Sequence, residues 1–423
     1  MLKTERILIK PNHSHYKMCR AVSYLSARLT NQALFYFRQS FFNGELLRWP
    51  SVDKLLKLRH PELYSLLPNA MSQALIKKLG ADFKSFWQAL KSYNKTPERF
   101  KARPRLPNYQ KLKTGIQPGQ GISVVDGMLK FPKKMNASPL LIWCADFQPT
   151  NSKGNQAKIS ELRYVPHGSC FWLEVVYDEE KVLPQTALDK RNVKLNKENV
   201  FSIDLGINNL VTLVSNLPDF QPVLFNGKPV KSLNQRFNKH KAELASLGHT
   251  RMIAHAAVKR FCQLNDYLHK VSYKIIQLCL EHDVGRIVIG KNKDWKQDIN
   301  IGKVNNQKFV SIPFQSLIDK LVYKAQAYGI KVDENEESYT SKADALACNV
   351  LPKKTKASQK KQKHTFSGKR VKRGLYQSSI GKLINADVNG AINILRKVIG
   401  DDFIQGLVDK GAVFTPVRWT PSH

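Results

Sequence analysis

The chain has 423 residues, 42% of them hydrophobic, and its 68 Lys and Arg against 33 Asp and Glu give a formal charge of +35. That apolar content excludes chain-wide disorder, and a charge far beyond what solubility requires calls for a polyanionic partner. No apolar run approaches the roughly 18 to 20 residues that span a bilayer, and the start MLKTERILIKPN lacks the apolar core of a signal peptide, so a soluble intracellular protein with no membrane partner is expected.

In chain order, residues 15–42 and 69–91 read as helices, the second placing Ala70, Ala74, Leu75, Leu79, Phe83, Phe86 and Leu90 largely on one face. The basic, Pro-rich stretch KSYNKTPERFKARPRLPNYQKLK has no periodicity and marks a domain boundary. Strand patterns follow: ISVVDGMLKF carries a hairpin signal at Asp126 and Gly127, and CFWLEVVY comes after a Pro-His-Gly-Ser turn. Short strands are then expected at Val200–Asp204, Leu210–Val214 and Pro222–Phe225, linked by turns rich in Gly, Asn and Pro. Ile253, Ala257, Phe261, Leu264, Leu268, Val271, Ile275 and Leu278 recur at helical spacing. A strand at Arg286–Gly290, a helix at Leu317–Tyr328, a strand at Ile330–Glu336 and a helix at Ala386–Val398 complete the order. The fold class expected is a multi-domain α/β chain whose second half has the element order of an RNase H-like domain, an antiparallel meander extended by parallel strands through helical crossovers. Many α/β domains share that order, so the positions of the carboxylates must decide.

The six cysteines, Cys19, Cys144, Cys170, Cys262, Cys279 and Cys348, are scattered, and no two have zinc-knuckle spacing, so no structural zinc is expected and the thiols are read as reduced. Between Lys353 and Arg373 lie ten Lys or Arg and no acid, which reads as a flexible or nucleic-acid-ordered loop. Those ten account for less than a third of the excess charge, so the polyanion surface must extend well beyond them.

Asp204 ends a strand just before Gly206, and Asp387 falls in the first turn of a helix in INADVNGAINILRK. Each has a plain structural reading, as turn former and helix cap. Two-metal phosphodiester hydrolysis instead needs three or four carboxylates from separate elements, and hard oxygen ligands imply magnesium or manganese. The densest acidic cluster, Asp333, Glu334, Glu336 and Glu337, precedes Ser-Tyr-Thr-Ser-Lys; Asp178, Glu179 and Glu180 form a comparable one with no evident task.

The segments SIDLGINNLVTLVSN, KNKDWKQ with NNQKFVSIPFQSLIDKLVYKAQAYGI, EESYTSKA and RGLYQSSIGKLINADVNGAINILRK resemble the RuvC-like nuclease half of TnpB, a family encoded by insertion sequences and similar to the ancestors of type V CRISPR effectors. The N-terminal half is similar more loosely, through SYLSARLTNQALFYFRQSFF, LPNAMSQALIKKLGADFKSFWQAL and ERFKARPRLPNYQ. The resemblance implies a β wedge module at 1–14 and 106–195 interrupted by a helical recognition insert at 15–105. It further implies a RuvC-like nuclease at 196–340 and 376–423, with a basic nucleic-acid-binding loop at 341–375. The implied activity is RNA-guided cleavage of double-stranded DNA beside a short flanking motif, in a prokaryotic cytoplasm close to the nucleoid, with guide RNA and target DNA as partners.

Two departures stand out. Most of the family carries its second catalytic glutamate in a segment like I-V-x-E-D-L, whereas this chain reads IVIGKNKD with Gly290 there; a branch sharing I-G-x-N and E-E-S-Y-T-S-K uses a glutamate on the next strand. By that resemblance Glu337 is the candidate, with Glu336 its alternative, and Asp204, Glu337 and Asp387 would hold two Mg2+ or Mn2+ ions. The family's zinc knuckle is also missing, since Ser341 leads into KADALACNVLPKKTKAS with Cys348 alone. The rival reading is a nuclease-dead RNA-guided DNA binder, which the absent glutamate favours. Gln73 and Lys77, one turn apart, fall on the helix that by resemblance approaches the flanking duplex. Arg103, Arg105, Lys342, Arg370 and Arg373 are candidate phosphate contacts, and Trp87, Trp143, Trp172 and Trp295 are candidates for base stacking or core packing.

Overall fold

The structure, a computed structural model, describes residues 2–125, 127–142, 159–178, 193–292, 309–352 and 364–421. Asp126, Trp143, Cys144, Glu179, Glu180, Trp295 and the first half of the basic segment, 353–363, lie outside the described residues. The chain divides into two compact units, Met1–Asp189 and Lys190–His423.

The first unit runs β1 (Leu2–Ile9), α1 (Tyr16–Phe42), α2 (Trp49–Arg59), α3 (Pro61–Ser65), α4 (Asn69–Lys95), β2 (Gly115–Pro118), β3 (Ser123–Val125), β4 (Met128–Lys130), β5 (Leu140–Leu141), β6 (Ile159–His167) and β7 (Cys170–Asp178). Its main sheet has the order β1-β7-β6-β2, and β1 lies antiparallel to β7 from Leu2 opposite Asp178 to Ile9 opposite Phe171. The first strand therefore completes a sheet made more than 100 residues later, and the helices are inserted between. The turn between β6 and β7 needs Gly168, whose φ of 59° suits a residue without Cβ.

The expected boundary after α4 is not a break in the core. Leu29, Leu34, Leu75 and Phe83 of the helices share one apolar cluster with Ile9, Leu162, Leu173 and Val175 of the sheet. The Pro-rich segment lacks regular structure because its prolines remove donors, but it connects parts of one compact unit. Trp87 packs against Phe41 with ring centroids 5.1 Å apart, and Trp172 is half-buried in β7 beside His167.

The second unit runs β8 (Asn196–Leu205), β9 (Asn209–Ser215), β10 (Val223–Asn226), α5 (Lys228–Ser246), α6 (Thr250–Glu281), β11 (Val284–Gly290), α7 (Phe314–Gln326), β12 (Lys331–Asn335), β13 (Lys369–Lys372), β14 (Leu375–Gln377), β15 (Leu383–Asn385), α8 (Ala386–Ile399), α9 (Ile404–Lys410) and β16 (Val417–Trp419). Its sheet order is β12-β11-β8-β9-β10-β16. The pairs β8–β9 and β9–β10 are antiparallel; β8–β11, β11–β12 and β10–β16 are parallel.

Alternation along the strands sorts two faces. Phe201, Ile203, Leu205, Ile287 and Ile289 share a core with Leu268 and Ile275 of α6 and Leu317 and Leu321 of α7. The intervening residues turn the other way, where Val200 and Val288 pack against Ile394 and Leu395 of α8, and Ser202 Oγ donates to the carbonyl of Ala391. Asp204 and Gly290 belong to this α8 face.

One expectation is corrected here. The basic segment ending at Arg373 is not wholly a loop, because β13 pairs with β14 and β14 with β15 in a small antiparallel sheet. Composition concealed it: all four residues of β13 are exposed, so no apolar alternation marks the strand.

Candidate active site

β11 lies parallel to β8 with Ile289 beside Ile203, which brings Gly290 level with Asp204 at the strand ends. β12 continues the sheet outward, pairing Asn335 with Gly290, and the chain then leaves the sheet through Glu336 and Glu337. α8 crosses the same end. The side chain of Asn385 caps it, accepting the backbone N–H groups of Asp387 (2.9 Å) and Val388 (3.2 Å). Asp387, Gly390 and Ile394, spaced by three and four residues, form the helix face turned to the strand ends.

Two glycines measure how tightly these parts meet. A Cβ added to Gly390 would lie 2.9 Å from Asp204 Oδ2, so the helix approaches that carboxylate as closely as a residue without a side chain allows. A Cβ added to Gly290 would lie 2.3 Å from Ile394 Cδ1 and 3.1 Å from Glu337 Oε2. The space a side chain at 290 would enter is filled by Ile394 and by the carboxylate of Glu337.

Glu337 is held there by a reciprocal pair of hydrogen bonds. Its backbone N–H donates to Asn292 Oδ1 (3.1 Å), and Asn292 Nδ2 donates to Glu337 Oε1 (3.3 Å). The other acids of the cluster turn elsewhere. Asp333 pairs with Arg286 (2.8 Å) and Lys331 (3.2 Å), and Glu334 pairs with Lys291 (2.9 Å). Glu336 accepts from Lys397 (2.8 Å) and from the N–H of Ser338 (2.9 Å). Asp387 Oδ2 accepts from Asn209 Nδ2 (2.8 Å), and Arg370 Nη2 stands 3.9 Å from Asp387 Oδ1.

Burial first, and then the charges of Glu337 and Asp387, push the carboxyl of Asp204 well above its ordinary range, while a backbone hydrogen bond at Leu205 and the Arg370 charge oppose the shift. Burial, then the charge of Glu336, raises Glu337 to about 7 against the pull of Lys397. Among the described residues, no three His, Cys, Asp or Glu side chains are gathered closely enough to clasp one ion as they stand. The donor set nevertheless fits a hard divalent cation: the groups are oxygen ligands, their charges repel, and Asn209 Oδ1 beside Asp387 is buried without a hydrogen-bond partner.

The candidate nucleic-acid residues are dispersed. In the first unit Gln73 and Lys77 are exposed one turn apart on α4, and Arg103 and Arg105 are exposed in the irregular segment before β2. In the second, Lys342, Arg370 and Arg373 are exposed, Arg370 beside Asp387. Sequence reasoning missed a cationic cavity of about 590 Å3 between α5 and α6, lined among others by Arg236, Phe237, Arg251, His255, Lys259 and Arg260. Arg260 is engaged, donating to Asn234 Oδ1 (2.7 Å) and lying over the Phe237 ring. Among the described residues, Arg236, Arg251 and Lys259 have no acidic partner, whereas Lys270 and Lys274 farther along α6 pair with Asp266 and Glu281.

Residues 176–296 match the OrfB_IS605 family model, described as a probable transposase, and residues 314–394 match the Cas12f1-like TNB domain. The TnpB-like protein ORF457 of Acidianus two-tailed virus is 25% identical, over 94% of this chain and 87% of that protein. A solved Cas12f1–sgRNA–target DNA complex is similar in fold, with a TM-score of 0.53 at 15% identity, covering 90% of this chain and 82% of that one. Among the described residues no helix is long and apolar enough to cross a membrane.

Proposed function

The chain is a TnpB-family protein of multi-domain α/β fold, and from that premise we propose that it is an RNA-guided DNA endonuclease whose second unit is an RNase H-like, RuvC-type nuclease with Asp204, Glu337 and Asp387 at its centre. One observation supports the reading most: Glu337 Oε2 lies 3.1 Å from where a side chain at Gly290 would begin, the proximity expected of a carboxylate that stands in for one on β11. The strand order supports it, since the meander β8-β9-β10 with β11 and β12 added in parallel is the RNase H-like arrangement. The wedge at 1–14 and 106–195 and the helical insert at 15–105 would then share one core, ahead of a RuvC-like nuclease at 196–340 and 376–423 with a basic nucleic-acid-binding segment at 341–375.

Asp204, Glu337 and Asp387 would hold magnesium or manganese. Bound there, two such ions supply a nucleophile at neutral pH and charge to offset that developing on the phosphate oxygens. The chain's own residues prepare the place. Asn292 orients Glu337, Asn209 orients Asp387, and Gly390 admits the carboxylate of Asp204 against α8. Arg370, exposed beside Asp387, is placed to meet a phosphate. Guide RNA and target DNA would lie along the cations of both units, with Gln73 and Lys77 toward the flanking motif and the α5–α6 cavity as an added contact.

The competing reading, a nuclease-dead binder, rests on Gly290 alone. Testing the two requires the protein with its co-purifying RNA, a matching DNA target, and magnesium. Glu337→Gln should abolish cutting while Glu336→Gln cuts normally, because the latter side chain is occupied by Lys397. Normal cutting by Glu337→Gln would remove that residue from the site, and wild-type protein that binds guided targets without cutting would establish the nuclease-dead reading.

A further inference from the structure

Asp344 is fully buried, and among the described residues no Lys or Arg pairs with it. Its oxygens are met by neutral donors instead. Ser378 Oγ lies 2.8 and 2.9 Å from the two carboxylate oxygens; the N–H (2.7 Å) and hydroxyl (3.0 Å) of Ser379 and the hydroxyl of Ser367 (3.4 Å) donate to Oδ2, and the N–H of Ala347 (3.3 Å) donates to Oδ1. A Cβ at Gly368 would lie 2.8 Å from the same Oδ2. The carboxylate therefore gathers the entry to β13, the turn after β14 and its own loop around one point.

That loop is pinned from its other side by α8. Asn389 accepts the N–H of Ala345 (3.0 Å) and donates to the carbonyl of Ala343 (2.8 Å), while Asn393 donates to the carbonyls of Thr340 (2.9 Å) and Ala343 (2.8 Å). Tyr339 and Cys348, at either end, have φ of 65° and 51°, a region that non-glycine residues enter only when their surroundings impose it. The ribbon fastened here carries Arg370 on β13, opposite Tyr376, and runs through β15 directly into Asp387.

We propose that Asp344 is a positioning residue, a carboxylate knot that fixes the β13–β15 ribbon and thereby holds Arg370 at its station beside Asp387. The inference rests on the reading of Asp204, Glu337 and Asp387 as a nuclease site only for its effect on cutting, and its structural half stands apart. Asp344→Asn is the sharp perturbation. Either orientation of the amide turns its NH2 toward a backbone donor, Ser379 N–H at Oδ2 or Ala347 N–H at Oδ1, and neither donor can rotate away. Ser378→Ala removes one donor and is the milder companion should Asp344→Asn fail to fold.

Hydrogen exchange on the full chain, comparing peptides of residues 364–385 with those of β8 and β9, should show the ribbon exchanging about tenfold or more faster in either variant while the central sheet is unchanged. On guided complexes, cutting should fall by about tenfold or more with target binding nearly unaltered, and adding Arg370→Ala to Asp344→Asn should produce no further loss. Unchanged ribbon exchange would overturn the knot. Losses that multiply in the double variant would overturn its action through Arg370 and leave Asp344 a general stability residue. Wild-type protein that binds targets without cutting would defeat the nuclease reading, and exchange alone would then decide the knot.

Discussion

Replacing Gly290 with alanine adds one methyl group at the point where β11, α8 and Glu337 meet. That methyl would stand 2.3 Å from Ile394 Cδ1, against an optimum of about 3.5–4.0 Å between carbons, and 3.1 Å from Glu337 Oε2. Ile394 is fully buried beside Val200, Val288 and Leu395, so it has no solvent to turn into. Overpacking of this kind costs about 1–3 kcal/mol. Ile394→Val alone deletes Cδ1 and costs about 0.5–1.5 kcal/mol, but in the Gly290→Ala background it deletes the nearest clashing atom and leaves Cγ1, 3.0 Å away, as a terminal methyl. The double variant should therefore be more stable than the two single changes predict, by about 1 kcal/mol or more. Denaturant unfolding of the four proteins, with hydrogen exchange in α8 as the local readout, measures this coupling. Because the same methyl presses on Glu337, Gly290→Ala should also lower guided cutting more than target binding. Strictly additive stabilities would refute the claim that Ile394 fills the space at 290, and cutting reduced no more than binding would refute the same claim for Glu337.

Asp204→Ala or Asp387→Ala should abolish cutting while guide and target binding stay within a few-fold, since each removes a carboxylate and no phosphate contact; full cutting by either variant excludes that residue. Changing Arg236, Arg251 and Lys259 together to Gln should flatten the log–log salt dependence of RNA binding by about 2, at roughly 0.7 per cation, and an unchanged slope makes the α5–α6 cavity a bystander. The raised Glu337 implies a pH dependence of the metal-free protein: its carboxyl contributes stability that is fully present below its unfolded pKa near 4.5 and lost as pH rises through about 7. The contribution is at most about 3 kcal/mol, and unfolding midpoints of wild type and Glu337→Gln should converge toward pH 4 and separate toward pH 8, with magnesium opposing the wild-type loss.

The longest elements were readable because their burial follows one period. α1, α4 and α6 bury a helical stripe, while β8 and β9 are bounded by Gly and Asn turns. α5 was missed because it is polar nearly all round, burying only Val230, Asn234 and Leu244. β13 and β16 are short and mostly exposed, so their partners rather than their side chains make them strands. At the site, Asp204 and Asp387 stood out by local context, a strand end before Gly206 and a capped first turn. Local sequence could not separate Glu336 from Glu337. β12 ends at Asn335, so alternation no longer assigns their faces, and the decision falls to Asn292 and Lys397, which lie 45 and 61 residues away in the chain. Asp344 gave no signal at all, because most of its donors lie between 23 and 35 residues downstream.

On the proposed nuclease reading, moving a carboxylate from one strand end to the segment beyond the next strand requires more than a glutamate in the new place. The old position must be emptied, and Gly290 does this. The new side chain must be turned inward, which Asn292 accomplishes with both of its polar atoms, and its neighbour must be held off, which falls to Lys397 through Glu336 and the carbonyl of Ser338. The segment that follows must then be fixed against α8, the helix that also carries Asp387, and Asn389 and Asn393 fasten it there. These residues come from β11 and the two residues after it, from the segment beyond β12, and from α8, and all of them bear on Glu337 or on the segment that follows it. The coordination among the three elements is the physical reason for preferring the nuclease to the inert binder.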